Sequence, residues 1–105
     1  MINWEEIFES QTNVYHCKTK EIALKFLKIA HDYGKEWKSG TSLLEKNAWY
    51  GRKEETCYDF FKYDDDNYGC SSGGRKHFIE RGYNVIDAET LFNGYYRKPF
   101  KLKRK

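Results

Sequence analysis

The clearest pattern along the chain is a stripe of apolar residues, Ile22, Ala23, Phe26, Leu27, Ala30 and Tyr33, recurring at helical spacing. Lys20, Lys25, Lys28 and Asp32 fall mostly off that stripe, so the segment predicts an amphipathic helix with one buried face. Thr19 is placed to cap its start, with Glu21 in the first turn, where a negative charge suits the helix dipole. Gly34 is placed to end it in a left-handed conformation. A shorter helix is predicted after Asn3, with Glu6 at the third position, ending before the polar run Ser10-Gln11-Thr12-Asn13.

Between and after these, the pattern shortens to that of strands. Val14 to Cys17, Lys35 to Lys38, Thr56 to Tyr63 and Tyr83 to Ile86 are the strand candidates. Asp64-Asp65-Asp66-Asn67 reads as a turn, with Tyr68-Gly69-Cys70 as a return strand. Ser71-Ser72-Gly73-Gly74 reads as a loop leading into a second helix, Arg75 to Arg81, stopped by Gly82. Asp87 caps one more helical turn to Phe92, and Leu43 to Gly51 is ambiguous. Both main helices end in glycine and feed an aromatic-bearing strand, as in a weak internal repeat.

After the short leading helix, the order is β-α-β-β-(β)-α-β. It predicts an α+β fold: a two-layer sandwich in which two helices cover one face of a mainly antiparallel sheet. Residues 1–94 form the expected single domain, and 95–105 a basic, aromatic tail.

Composition sharpens this picture. At 105 residues the chain is too short for a (β/α)8 barrel or a dinucleotide fold with a substrate domain. No apolar run reaches membrane-spanning length, and the start Met1 to Glu6 lacks the basic and apolar regions of a signal peptide. The formal charge of +3 is unevenly placed: the tail from Tyr95 holds six of the 19 basic residues and none of the 16 acidic ones. The rest of the chain is therefore mildly acidic. Three widely spaced cysteines, Cys17, Cys57 and Cys70, fit neither a disulfide framework nor a paired zinc site. They point to a reducing, cytoplasmic setting and to no metal. Nine Tyr and three Trp exceed what a small core requires and predict a contact surface.

Three segments carry candidate chemistry. Ser72, Gly73, Gly74, Arg75 and Lys76 precede a helix, where free N–H groups could receive a phosphate or nucleotide. The phosphate-loop pattern lacks its lysine and hydroxyl, which excludes NTP hydrolysis and leaves an anion contact or a plain capped turn. Asp64, Asp65 and Asp66 lack the calcium-loop spacing. They read as a solvated hairpin tip or as an acidic surface mimicking phosphate toward a basic partner. In the tail, Tyr95, Tyr96, Arg97, Lys98, Phe100, Lys101, Lys103, Arg104 and Lys105 interleave cations with rings. That arrangement suits nucleic acid or an acidic partner, and equally a solubilising terminus. His16, His31 and His77 have no catalytic company, and the adjacent pairs Glu5-Glu6 and Glu54-Glu55 diverge. The chain is therefore expected to be non-enzymatic, without a cofactor.

Several motifs together resemble small accessory proteins of bacteriophages from Gram-positive hosts. They are His16-Cys17, Thr19, the run Tyr33-Gly34-Lys35-Glu36-Trp37-Lys38-Ser39-Gly40, Thr56-Cys57-Tyr58, and Gly82-Tyr83-Asn84-Val85-Ile86. The resemblance spans roughly residues 14–92 and assigns no binding residue. It implies a role in host takeover or against bacterial defence, as an inhibitor of a nuclease complex such as CRISPR or a sponge for a nucleotide signal. The expected partner is accordingly a host defence protein or protein–nucleic acid complex, or a nucleotide signal, with no membrane. The alternative is a nucleic-acid-binding module built on the tail and an aromatic sheet face.

Overall fold

In the computed structural model, residues 3–62 and 68–92 are described. Helix α1 (Trp4–Glu9) starts at Asn3, whose side-chain oxygen accepts a hydrogen bond from the Glu6 N–H at 3.1 Å. Strand β1 (Asn13–His16) follows, then α2 (Lys20–Asp32). Thr19 caps α2 by accepting from the Ile22 N–H, and Gly34, at φ +83°, turns the chain out of it. Strand β2 (Glu36–Trp37) is two residues long. A loop then leads to α3 (Trp49–Arg52) and a 3-10 turn (Lys53–Glu55). Strands β3 (Thr56–Lys62) and β4 (Tyr68–Gly74) pair antiparallel. Helix α4 (Arg75–Glu80), β5 (Asn84–Asp87) and a helical segment over 88–92 complete the described chain. Asp87 caps that last segment, accepting from the Glu89 N–H at 3.1 Å.

The five strands form one sheet in the order β2-β4-β3-β1-β5. The fold is α+β, as the order of elements predicts. The sheet is antiparallel at its centre, where β3 pairs with both β1 and β4, and parallel at both edges.

Side chains alternate across the sheet, and the two faces bury different clusters. Tyr15, Tyr58, Phe60 and Cys70 point to one face, under α1 and α2. Phe26 of α2 is fully buried there, with Tyr15 at 5.3 Å between ring centroids, Phe60 at 5.9 Å and Tyr58 at 6.1 Å. Phe8 of α1 closes on Phe60 at 4.9 Å. The stripe of α2 is buried as predicted through Ala30, and Ile29 joins it, while Tyr33 stays 43% exposed against Phe8. Val14 and Cys57 point to the opposite face, under Phe78 of α4, with Tyr83 and Val85 packed alongside.

Helix α4 therefore lies on the other face from α2, a correction to the expectation that both helices share one layer. Topology explains it. The β1-α2-β2 connection crosses the sheet in one direction, and β4-α4-β5 crosses it in the other. Two crossovers of the same right hand that run in opposite directions must put their helices on opposite faces. The strand order is symmetric about β3, so the two glycine-terminated helix–strand units are related by a pseudo-twofold along that strand.

Candidate functional site

The cleft beside the outer edge of β4 has a volume of about 690 Å³. Trp37, Lys38 and Ser39 form one end, Glu45 to Ala48 with Tyr50 and Gly51 the far wall, and Cys70, Ser71 and Ser72 the near wall. The far wall is irregular backbone held by side chains from the sheet. Trp37 donates its indole N–H to the Lys46 carbonyl at 3.0 Å, and the Tyr58 hydroxyl donates to the Asn47 carbonyl. Asn47 in turn accepts from the Trp49 N–H at 2.8 Å. The Trp49 indole N–H donates to the Cys17 carbonyl at 3.2 Å, and the buried Thr56 hydroxyl to the Trp49 carbonyl at 3.3 Å. Leu43 is buried beneath the loop. Two residues pay in backbone strain for this path: Ala48 at φ +59° and Lys53 at φ +50°.

The near wall matters because β4 is only partly paired on this side. Strand β2 covers Gly69 and Cys70, and the Lys38 N–H adds one more bond to the Cys70 carbonyl at 3.1 Å. Beyond that point no described strand lies along β4 on the cleft side. The Cys70 carbonyl faces β2, and backbone groups alternate sides along a strand. Ser71 and Gly73 therefore bond to β3, while the N–H and C=O of Ser72 face the cleft.

The rim is cationic. Lys38 and Lys46 line it against one carboxylate, Glu45. Arg52 runs beside β4, with its Cδ 3.5 Å from where a Cβ on Gly74 would sit. Lys38 reaches over the Phe61 ring at 5.9 Å. Lys20 donates to the Tyr50 hydroxyl and sits 4.7 Å from that ring's centroid, orienting a phenol that is 60% exposed. Among the described residues no ion pair neutralises Lys46 or Arg52.

The cleft offers the Tyr50 phenol, the Lys38 and Lys46 ammonium groups and the hydroxyls of Ser71 and Ser72. Its one thiol, Cys70, is fully buried, and burial pushes its pKa well up. Burial also raises Cys17, and raises Cys57 to about 12. All three are protonated near neutral pH and poor nucleophiles. Among the described residues no group of His, Cys, Asp or Glu is arranged to hold a metal ion, and no helix is long and apolar enough to cross a membrane.

The predicted candidates fare unevenly. Ser71 to Gly74 are not a loop but the second half of β4, so the N–H groups of Ser71 and Gly73 are spent on the ladder to β3. That corrects the loop from which an anion contact at Ser72, Gly73 and Gly74 was argued. Ser72 lines the cleft, whereas Gly73 lies under α4, where a Cβ would come 2.8 Å from the Phe78 ring. Its glycine makes room for a side chain, not for a ligand. Gly74 caps α4 without a side-chain bond, and Arg75 and Lys76 are exposed on that six-residue helix. The sheet does not bring these five residues together around one point. Asp64, Asp65 and Asp66 lie outside the described residues, as do Tyr95, Tyr96, Arg97, Lys98, Phe100, Lys101, Lys103, Arg104 and Lys105. Trp37, Lys38, Lys46, Asn47 and Tyr50 were missed as a site. Their only sequence signal was a Trp-Tyr pair after a turn-forming Asn, in the ambiguous segment Leu43 to Gly51.

No family model matches this chain, and no similar protein was found among curated proteins or solved structures.

Proposed function

We propose that this protein acts by binding a partner at the cleft beside β4, and that the binding blocks a component of host defence, as a phage-type inhibitor does. The observation that carries the binding reading is the cleft itself. It is an apolar-floored trough with a cationic rim, an oriented exposed tyrosine and strand backbone that no described strand pairs, built on a wall that strains Ala48 and Lys53. Strain held in place by five side-chain hydrogen bonds is more than a loop needs merely to connect α2's neighbour β2 to β3. The inhibitory role rests on the sequence resemblance over residues 14–92. The excess of positive charge at the rim favours an acidic partner surface over a nucleic-acid groove as the contact.

The test is a pull-down from lysate of an infected-host strain, with and without nuclease, comparing wild type with Lys38→Glu/Lys46→Glu. A protein captured by wild type, resistant to nuclease and lost from the double variant supports the reading. Equal capture by both moves the contact away from the cleft. Recovery of nuclease-sensitive material alone transfers the function to nucleic acid and to the basic tail.

A further inference from the structure

Resting on the cleft as the binding site, we propose how it is occupied: an extended acidic segment of the partner adds to the sheet as a short strand along Ser72 and Gly74. The argument begins with backbone accounting. A strand edge with N–H and C=O groups directed into an apolar trough is a template for another strand, because those groups gain most from a partner that excludes water. Ser72 offers one donor and one acceptor to the cleft, and the alternation gives Gly74 a further donor on the same side. Strand β2 ends beside Cys70, so an incoming segment would continue the row that β2 begins rather than displace it. The volume of about 690 Å³ accommodates a few extended residues.

Charge selects which segment. Lys38 and Lys46 line the cleft with Glu45, Arg52 lies beside Gly74, and the one further carboxylate at the near wall, Asp59, accepts from the Ser71 hydroxyl and is buried. Carboxylates on alternate positions of the segment would meet the lysines at the rim. Its other side chains would turn toward the apolar lining that includes the indole of Trp37, which is the division of labour in strand addition: backbone for affinity, alternate side chains for selection.

The probe is a capped heptapeptide alternating glutamate and valine, with a twin carrying N-methyl groups on the amides that would face Ser72. Binding to the full-length protein is read by calorimetry and by amide shifts. The expected result is saturable binding that shifts Ser72 and Lys46, falls about tenfold for the N-methylated twin, and falls similarly in Ser72→Pro. Proline is tolerated at an edge where the lost N–H faces away from the ladder. If Ser72→Pro does not fold, the N-methylated twin alone decides. Equal affinity for the two peptides, or no binding, overturns strand addition. The cleft reading fails separately, when Lys38→Glu/Lys46→Glu leaves partner capture unchanged. Adenosine monophosphate is run beside the peptide, and cleft shifts with it alone keep the cleft but refute the strand.

Discussion

Replacing Gly73 with alanine asks whether this glycine serves a ligand or a neighbour. A Cβ at this position would lie 2.8 and 3.0 Å from two carbons of the Phe78 ring. Ordinary carbon contacts sit at roughly 3.5–4.0 Å, so the ring must retreat by about 0.5–1 Å. It has little room: Phe78 is 6% exposed, with Val14 and Cys57 beneath it and Tyr83 edge-on at 5.2 Å between centroids. Overpacking of this kind costs about 1–3 kcal/mol. Alanine recovers about 0.5–1 kcal/mol over glycine within a strand. The net expectation is a loss of up to about 2.5 kcal/mol, centred near ~1 kcal/mol, and at that centre a fall in Tm of roughly 4–8 °C for a domain of this size. Urea and thermal unfolding followed by circular dichroism read the effect. Phe78→Leu in the alanine background should recover part of it, with a coupling of about 1 kcal/mol in the double-mutant cycle. A Gly73→Ala protein more stable than wild type, or effects that simply add, would refute the packing account. An anion-binding glycine would show the reverse pattern, with stability kept and phosphate binding lost.

Two further expectations concern the strained wall and the thiols. Ala48→Gly and Lys53→Gly, at φ +59° and φ +50°, should each stabilise the fold by about 0.5–1 kcal/mol, since left-handed backbone costs an L-residue about 1–2 kcal/mol and glycine's extra unfolded entropy returns part of it. A lowered urea midpoint in both variants would contradict the strain. Because burial raises the pKa of Cys57 from 9.0 to about 12, the folded state keeps a proton that the unfolded chain releases. Stability from this group is intact below pH 9 and declines as pH rises toward 12, by at most ~1.4 kcal/mol per pH unit for each such thiol. Urea midpoints measured up the alkaline range should fall, and fall less steeply in Cys57→Ala; equal slopes in the two proteins would sink the assignment.

What the sequence made legible was what local chemistry decides. Asn3, Thr19, Gly34, Gly82 and Asp87 mark helix ends by capping and by positive φ, and all five stand where their chemistry puts them. The stripe on α2 was readable because a 13-residue helix repeats its period several times. Ser71 to Gly74 misread because serine and glycine are turn formers by propensity. Here tertiary pairing overrides propensity: β3 has seven residues and supplies a ladder along the whole of β4. No local signal records that Phe78 will rest on Gly73, since that contact exists only once α4 folds back over the sheet. The face on which α4 sits was likewise hidden, because it follows from the direction of the crossover and thus from strand order.

The cleft arises from a conflict between local and sheet-wide demands at β2. Trp37 pairs beside Cys70, but its own N–H is taken by the Thr41 carbonyl at 3.0 Å, and its carbonyl by the Gly40 N–H at 2.8 Å. Gly40, at φ +89°, turns the chain back on itself, and Glu36 bridges to Ser42. The turn thus ends β2 after two residues, while β4 runs on for four residues past Cys70. The Trp37 side chain cannot follow the turn outward without exposing an indole, so it stays under the sheet's edge and holds Lys46 by its N–H. That bond, together with the one from the Tyr58 hydroxyl to the Asn47 carbonyl, draws the next loop across the gap as the far wall. An open strand edge, an apolar floor and a lysine-bearing wall therefore have one cause: a tight turn placed directly after a tryptophan that must remain buried.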